Sequence, residues 1–264
     1  MFTPKTLAFL RSLKRNNDRA WFHANRERYE QHVRTPMTMV IERLANDFQK
    51  FAPELNADPK VSLFRPWRDT RFSDDKKPLK THVAATFPHR VLGRMNGAGL
   101  YFEVAPTWVW IGGGIYSPDT SQLQLLREHI ADNHRELDRI VRAAGLRRLG
   151  GLQGDRLTRV PRGFAKDHPA ADYLQFKQFL GFREEPAAFA TRPDFYRQLV
   201  QTFKQLTPLV QFLNAPLVAS RSHITPHPLQ APQRRTATAG GSRQPEYSTP
   251  RSMPARGLPG QAAR

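Results

Sequence analysis

The 264-residue chain contains no cysteine, and that one absence removes disulfides, thiolate nucleophiles, zinc fingers and iron–sulfur clusters together. Long apolar runs are missing as well. No stretch of about 18 consecutive apolar residues is present to span a bilayer, and the N-terminus lacks the apolar segment of a signal peptide. The expectation is a cytoplasmic protein with no membrane partner. Familiar cofactor signatures are also absent. No Gly-Lys-Ser/Thr follows the run Gly112-Gly113-Gly114, and no dinucleotide fingerprint occurs. His129 and His134 are five residues apart and do not share a helix face, and there is no His-Glu-x-x-His pattern. No metal, flavin or nicotinamide site is therefore expected. Acidic residues are scarce beside basic ones: 23 Asp and Glu face 41 Lys and Arg, for a net charge of +18.

What is present in excess is positive charge and proline. Apolar residues make up 39%, with 22 prolines, and much of this bias lies at the end of the chain. Residues 219–264 hold seven arginines and one acid, Glu246, among Pro, Ser, Thr, Gly, Gln and Ala. Such a segment has too few large apolar groups to offset its ordering entropy, so a disordered basic tail is expected there. Residues 1–218 are expected to form a single domain of a size that one core serves. The charge favours anionic partners through long-range attraction: nucleic acid, phosphorylated metabolites or an acidic membrane surface. A general arginine bias, 31 Arg against 10 Lys, would produce the same totals.

Periodicity predicts mixed secondary structure. Thr3-Pro4 pairs a hydroxyl cap with proline at the first helical position and predicts a helix to Asn16-Asn17. Asp18 caps a second, to about Arg34, with Trp21, Phe22, Tyr29 and Val33 on one face. Asn25 falls in the same stripe. Its amide loses water on folding and needs partners, for which the charged stretch after Phe64 is the expected source. Thr35-Pro36 opens a third helix that Pro53 closes. Short strands are predicted over 61–64, 83–87, 100–104 and 108–111, an antiparallel meander, and the glycine run after them reads as a bulge. Ser117 caps a helix with Leu123, Leu126 and Ile130 inward. Further predictions are a helix from His134 to Ala144, a strand over 157–160, a helix from Asp167-His168-Pro169 through Phe179, and an edge strand over 181–183. A last helix opens at Arg192-Pro193-Asp194 and kinks or ends at Pro208. The fold class is α+β: an antiparallel sheet of about four to six strands covered by helices, largely on one face.

The stretch from Arg65 to Lys80 carries the chemistry. Six cations (Arg65, Arg68, Arg71, Lys76, Lys77, Lys80) mix with three carboxylates (Asp69, Asp74, Asp75). Arg68 and Arg71 bracket Asp69, with Trp67 and Phe72 as apolar pins. That pattern fits guanidinium forks held in fixed directions by a carboxylate and presented to an anion; the plainer reading is an ion-pair network closing a loop. Arg127, at the edge of a helical stripe, packs its stem and extends its head towards an acid or ligand. His168 has a side chain that titrates near neutrality, beside an Asp-Pro pair that also reads as a helix start.

Taken with Asn16-Asn17, Trp21-Phe22, Asn25 and Tyr29, with Gly113-Gly114-Ile115-Tyr116-Ser117-Pro118, Leu123 and Arg127, and with Pro161-Arg162-Gly163-Phe164 and Asp167-His168-Pro169, the segment Arg68-Asp69-Thr70-Arg71-Phe72-Ser73 resembles the family known as domain of unknown function 2461. The resemblance covers about residues 2 to 215 and implies a shared fold and a shared polar cluster. Leu79 departs from the family, which carries an aromatic there, usually tyrosine; residues past Pro216 lie outside the resemblance. Three functional readings follow. In the first, a pocket binds a phosphorylated or carboxylated small molecule. Arg68 and Arg71 clamp the anion, Asp69 orients them, Lys76 and Lys80 add charge, and Tyr116, Arg127 and Asn25 complete the wall. If that pocket is also an active site, Asp69 or His168 carries the proton. The second is a nucleic-acid-binding module, with Trp67, Trp108 and Trp110 stacking bases and the tail adding sequence-blind affinity. The third is a non-catalytic scaffold for a partner protein.

Overall fold

Cap-and-proline signals set the helical frame of the computed structural model, which describes residues 1–222 apart from Phe72. Proline at the first position opens α1 (Pro4–Arg15), and Asp18 caps α2 (Arg19–Ala24) by accepting from the Trp21 amide at 2.7 Å. After α3 (Arg26–Tyr29), a π-helical turn over Glu30–Arg34 leads without a break into α4 (Thr35–Phe51). Thr35-Pro36 therefore does not separate two helices. Proline at 36 has no N–H for the carbonyl of His32, one helical turn earlier. That carbonyl instead accepts the Thr6 hydroxyl of α1 at 2.7 Å, which ties the first helix to the turn.

Residues 61–64 do not form the predicted strand. Asp58 caps the short helix α5 (Pro59–Ser62), accepting from the Lys60 amide at 2.8 Å. Asp-Pro is a helix start, and here it outweighs the β-propensity of Val-Ser-Leu-Phe. Only Leu63 bridges to Ala85, and the Phe64 amide reaches the Ala84 carbonyl.

The sheet is a four-stranded antiparallel array in chain order: β1 (Val83–Pro88), β2 (Gly99–Val104), β3 (Trp108–Ile115) and β4 (Phe179–Pro186). Three of these strands were predicted in place. The fourth contains the predicted edge strand and begins earlier, because residues 153–157 pair with 175–180 through the Gln153–Leu180 and Arg156–Phe176 bridges. That pairing holds 175–180 extended. The helix predicted through Phe179 shrinks accordingly to α9 (Ala171–Leu174), and no strand forms over 157–160. Glycines 112–114 stay inside the ladder, without a bulge. Gly114 has φ +129°, and a Cβ there would collide with the Phe179 carbonyl.

Alternation sorts the strand residues between two faces. One face carries Val83, Ala85, Phe87, Leu100, Phe102, Val109 and Ile111, all buried. It meets α4 and the long helix α10 (Phe195–Ser222), with Phe48, Phe87, Phe102 and Phe203 in mutual ring contact. α6 (Thr120–Asp132), capped by Asp119 and not by Ser117, then α7 (His134–Arg142) and α8 (Ala144–Arg148) pack against α10. α10 neither ends nor is interrupted at Pro208. Its inward stripe of Leu199, Phe203, Leu206, Val210, Leu213 and Leu217 is buried throughout, and that packing carries the helix past the donors missing at Pro208 and Pro216. Residues 219–222 are helical, four residues into the predicted tail; the rest of that tail lies outside the described residues.

Candidate functional site

The charged stretch folds as a hairpin. The Arg68 amide donates to the Pro78 carbonyl and the Lys80 amide to the Pro66 carbonyl, both at 2.8 Å, and Trp67 bridges to Leu79. An asparagine does dock this hairpin on the N-terminal helices, but it is Asn17. Its amide donates to the Leu79 carbonyl at 2.9 Å and accepts from the Leu79 N–H at 3.0 Å. Trp67 adds an edge-to-face contact with Phe22 at 5.4 Å. Leu79 is wholly buried. Asn25 has local partners instead, donating to the Trp21 carbonyl and accepting from Arg28, because it closes α2 and begins α3.

Within the hairpin the forks meet carboxylates. Arg71 reaches Asp69 through Nε, at 2.9 Å to Oδ1, and through Nη2. Arg68 pairs with Asp75 at 2.8 Å and also donates to the Lys77 carbonyl at 3.2 Å. Asp69 thus orients Arg71, while Asp75 orients Arg68. Lys76 donates to the Thr70 carbonyl at 3.1 Å. The hydrogen bonds from Arg71 hold the Asp69 carboxyl down at about 2. At neutral pH it is a fixed negative charge, poorly matched to proton transfer.

A second constellation occupies the sheet face turned away from the helices. Here Tyr101, Glu103, Trp108, Trp110 and Phe182 alternate with the core residues, and Phe64 and His82 join them from the segment before β1. Glu103 is only 7% exposed. A buried carboxylate is costly unless donors surround it. It accepts the Tyr101 hydroxyl at 2.7 Å and the Trp108 indole N–H at 2.9 Å, and His82 Nε2 lies 3.5 Å away. Burial pushes the His82 imidazole below its ordinary value. Glu103 opposes that shift, whereas Lys80 and Arg68 reinforce it. Those couplings put the hairpin's cations within electrostatic reach of the buried pair.

Aromatic surface surrounds this polar centre. The Arg94 guanidinium lies 4.3 Å and the Lys80 ammonium 4.9 Å from the centroid of the Phe64 ring, distances at which cations are attracted to the ring face. Phe64 meets Tyr101 at 6.1 Å, Tyr101 meets Trp110 at 5.5 Å, and Trp110 stacks on Phe182 at 4.9 Å. The Trp110 ring lies over Gly112, where a Cβ would strike it.

The remaining predicted residues are engaged elsewhere. Arg127 donates to the Leu174 carbonyl at 3.0 Å and the Phe176 carbonyl at 3.4 Å, tying α6 to the segment that leads into β4. His168 Nδ1 accepts from the Ala170 amide at 3.0 Å, and its ring sits edge-on to His134 at 5.8 Å; neither it nor Asp167 caps α9, whose N-cap position is Ala170. Tyr116 is held above its ordinary value by burial and by Asp155. Sequence reasoning placed Glu103 in a strand and assigned it no role. The available signal was an acid at an alternating position between Tyr101 and Trp108. Among the described residues, no three His, Asp or Glu side chains gather as a metal ion would require.

Compared with curated proteins and with solved structures, the chain matches none. A family model does match, over residues 5–212, and its description is conserved hypothetical protein (DUF2461). With most of its length covered and the Arg68–Ser73 segment inside the match, the chain belongs to the DUF2461 family.

Proposed function

We propose that the open sheet face beside the 66–80 hairpin binds a small phosphorylated or carboxylated molecule. The observation that carries this reading is the convergence of Lys80 and Arg94 on one aromatic ring, Phe64, next to the Glu103 cluster. Positive charge over an apolar floor favours an anion that also brings apolar or flat surface. Arg68, fixed by Asp75, adds directed charge at the hairpin. Arg71 and Lys76, at the exposed tip, contribute long-range attraction. Proton transfer from the ligand falls to His82, whose Nε2 lies 3.5 Å from the Glu103 carboxylate. Burial keeps that imidazole neutral at pH 7 and able to accept a proton, and Asp69 is too acidic for the role.

The test is a thermal-shift screen of phosphorylated and carboxylated metabolites on the intact protein and on Lys80→Ala and Arg68→Ala. A ligand at 100 times its Kd stabilises by about 2.7 kcal/mol, so hits are expected to raise Tm in the parent protein and to lose most of that shift in Lys80→Ala. A panel without hits, or shifts identical in all three proteins, contradicts the proposal.

A further inference from the structure

Half of the net charge of residues 1–218 lies in the stretch 135–166, where nine cations face three carboxylates, +6 of +12. All nine cations are exposed. On α7, Arg135, Arg139 and Arg142 are spaced by four and three residues and so form one stripe; Arg147 and Arg148 follow on α8, which packs beside α7. The acids nearby do not consume it. Asp138 takes Arg142 at 2.8 Å while also accepting the Tyr173 hydroxyl, and Glu136 reaches Arg139 at 3.8 Å. Both pairs are solvated, and such pairs yield readily to a competing anion. Among the described residues, no carboxylate lies within 4.0 Å of Arg135, Arg147 or Arg148.

This surface lies apart from the open sheet face. α7 and α8 pack on α10, which covers the other side of the sheet. The shape also differs. The stripe runs between two shallow clefts, one of about 480 Å³ bordered by Arg139 and Phe212, the other of about 280 Å³ bordered by Arg135, Arg142 and Tyr173. Arg135 and Arg142 border one cleft and Arg139 the other, so the cations of the stripe do not all converge on a point and a small anion touches at most two. A ligand with repeating charge engages all of them. Arg135 and Arg142 are roughly 10 Å apart along the helix axis, close to the rise of three base pairs at about 3.4 Å each.

We propose that the α7–α8 face binds nucleic acid through its phosphate backbone, without reading sequence. The stripe offers guanidinium charge spaced along a helix, so affinity comes from phosphate neutralisation and counterion release. The test uses the full chain and a short labelled DNA duplex, with anisotropy titrations between about 50 and 200 mM salt. Arg135→Ala/Arg139→Ala/Arg142→Ala is compared with Arg11→Ala/Arg15→Ala/Arg19→Ala, which removes the same charge from exposed positions on α1 and α2. The α7 triple is expected to flatten the plot of log K against log salt by about 2 to 3, at roughly 0.9 for each phosphate that is no longer neutralised, and to weaken low-salt binding tenfold or more. The α1–α2 triple is expected to stay close to the parent protein. Equal losses in both triples mean diffuse charge, and no loss in either assigns binding to residues beyond 222; both overturn the proposal. So does a chain that ignores the duplex but binds anionic vesicles in an α7-dependent way.

Discussion

Glu103 is the residue on which the chemistry of the open face turns. A carboxylate nearly out of solvent is retained because Tyr101 and Trp108 hold it, and its charge raises the His82 pKa against burial. The sign of the pH effect follows. His82 titrates lower in the folded chain than the ordinary 6.5, so the stability it contributes as a neutral group is present above that value. It is lost as the pH falls through the folded value, because the unfolded chain then takes up the proton first. Glu103→Gln keeps the side-chain shape but removes the opposing charge. The His82 imidazole, followed by NMR, is expected to titrate at still lower pH in that variant. An unchanged or raised titration point would show that the two side chains are not electrically coupled.

At the scale of elements, the hairpin depends on how it is docked. Asn17 donates to the Leu79 carbonyl and accepts from the Leu79 N–H, clasping both backbone groups of a residue whose side chain is buried. Asn17→Ala leaves those groups without protein partners, at a cost of about 1–3 kcal/mol, and loosens the base from which Lys80 projects. Chemical denaturation is expected to give a lower midpoint with an unchanged slope, together with weaker binding of any anion found for the open face. Full stability in that variant would mean that packing of Trp67 and Leu79 alone fixes the hairpin. Much of the frame around it was legible. The runs of β2 and β3 stand out on either side of the Pro106-Thr107 turn, and proline after Thr3 and the Asp18 cap mark the first two helix starts. Where prediction failed, one local signal overrode another or a distant contact decided. Asp58-Pro59 turned a β-rich run into α5, the Thr6 hydroxyl let the chain stay helical through Pro36, and pairing with 153–157 drew 175–180 into extended structure. The charged hairpin was legible as a candidate because its residues are consecutive. The His82–Glu103–Trp108 cluster was not, because only strand register brings those side chains together.

For the whole molecule, one sheet separates the two surfaces proposed to bind anions. The helical side buries the core and carries the arginine stripe outward on α7 and α8; the other side carries aromatic rings, a buried acid–imidazole pair and the hairpin's cations. Membership of the DUF2461 family, over residues 5–212, spans both. The four tryptophans sample this arrangement unevenly. Trp108 and Trp110 lie on the open face, Trp67 in the hairpin, and Trp21 against Phe9 on the N-terminal helices. The most direct measurement is therefore a proton–nitrogen NMR titration of the indole N–H groups with whichever anion raises Tm. The expected result is a large, saturable shift of Trp108 and Trp110, a smaller one at Trp67 and none at Trp21; saturable binding that leaves Trp108 and Trp110 unmoved would place the ligand elsewhere and contradict the account.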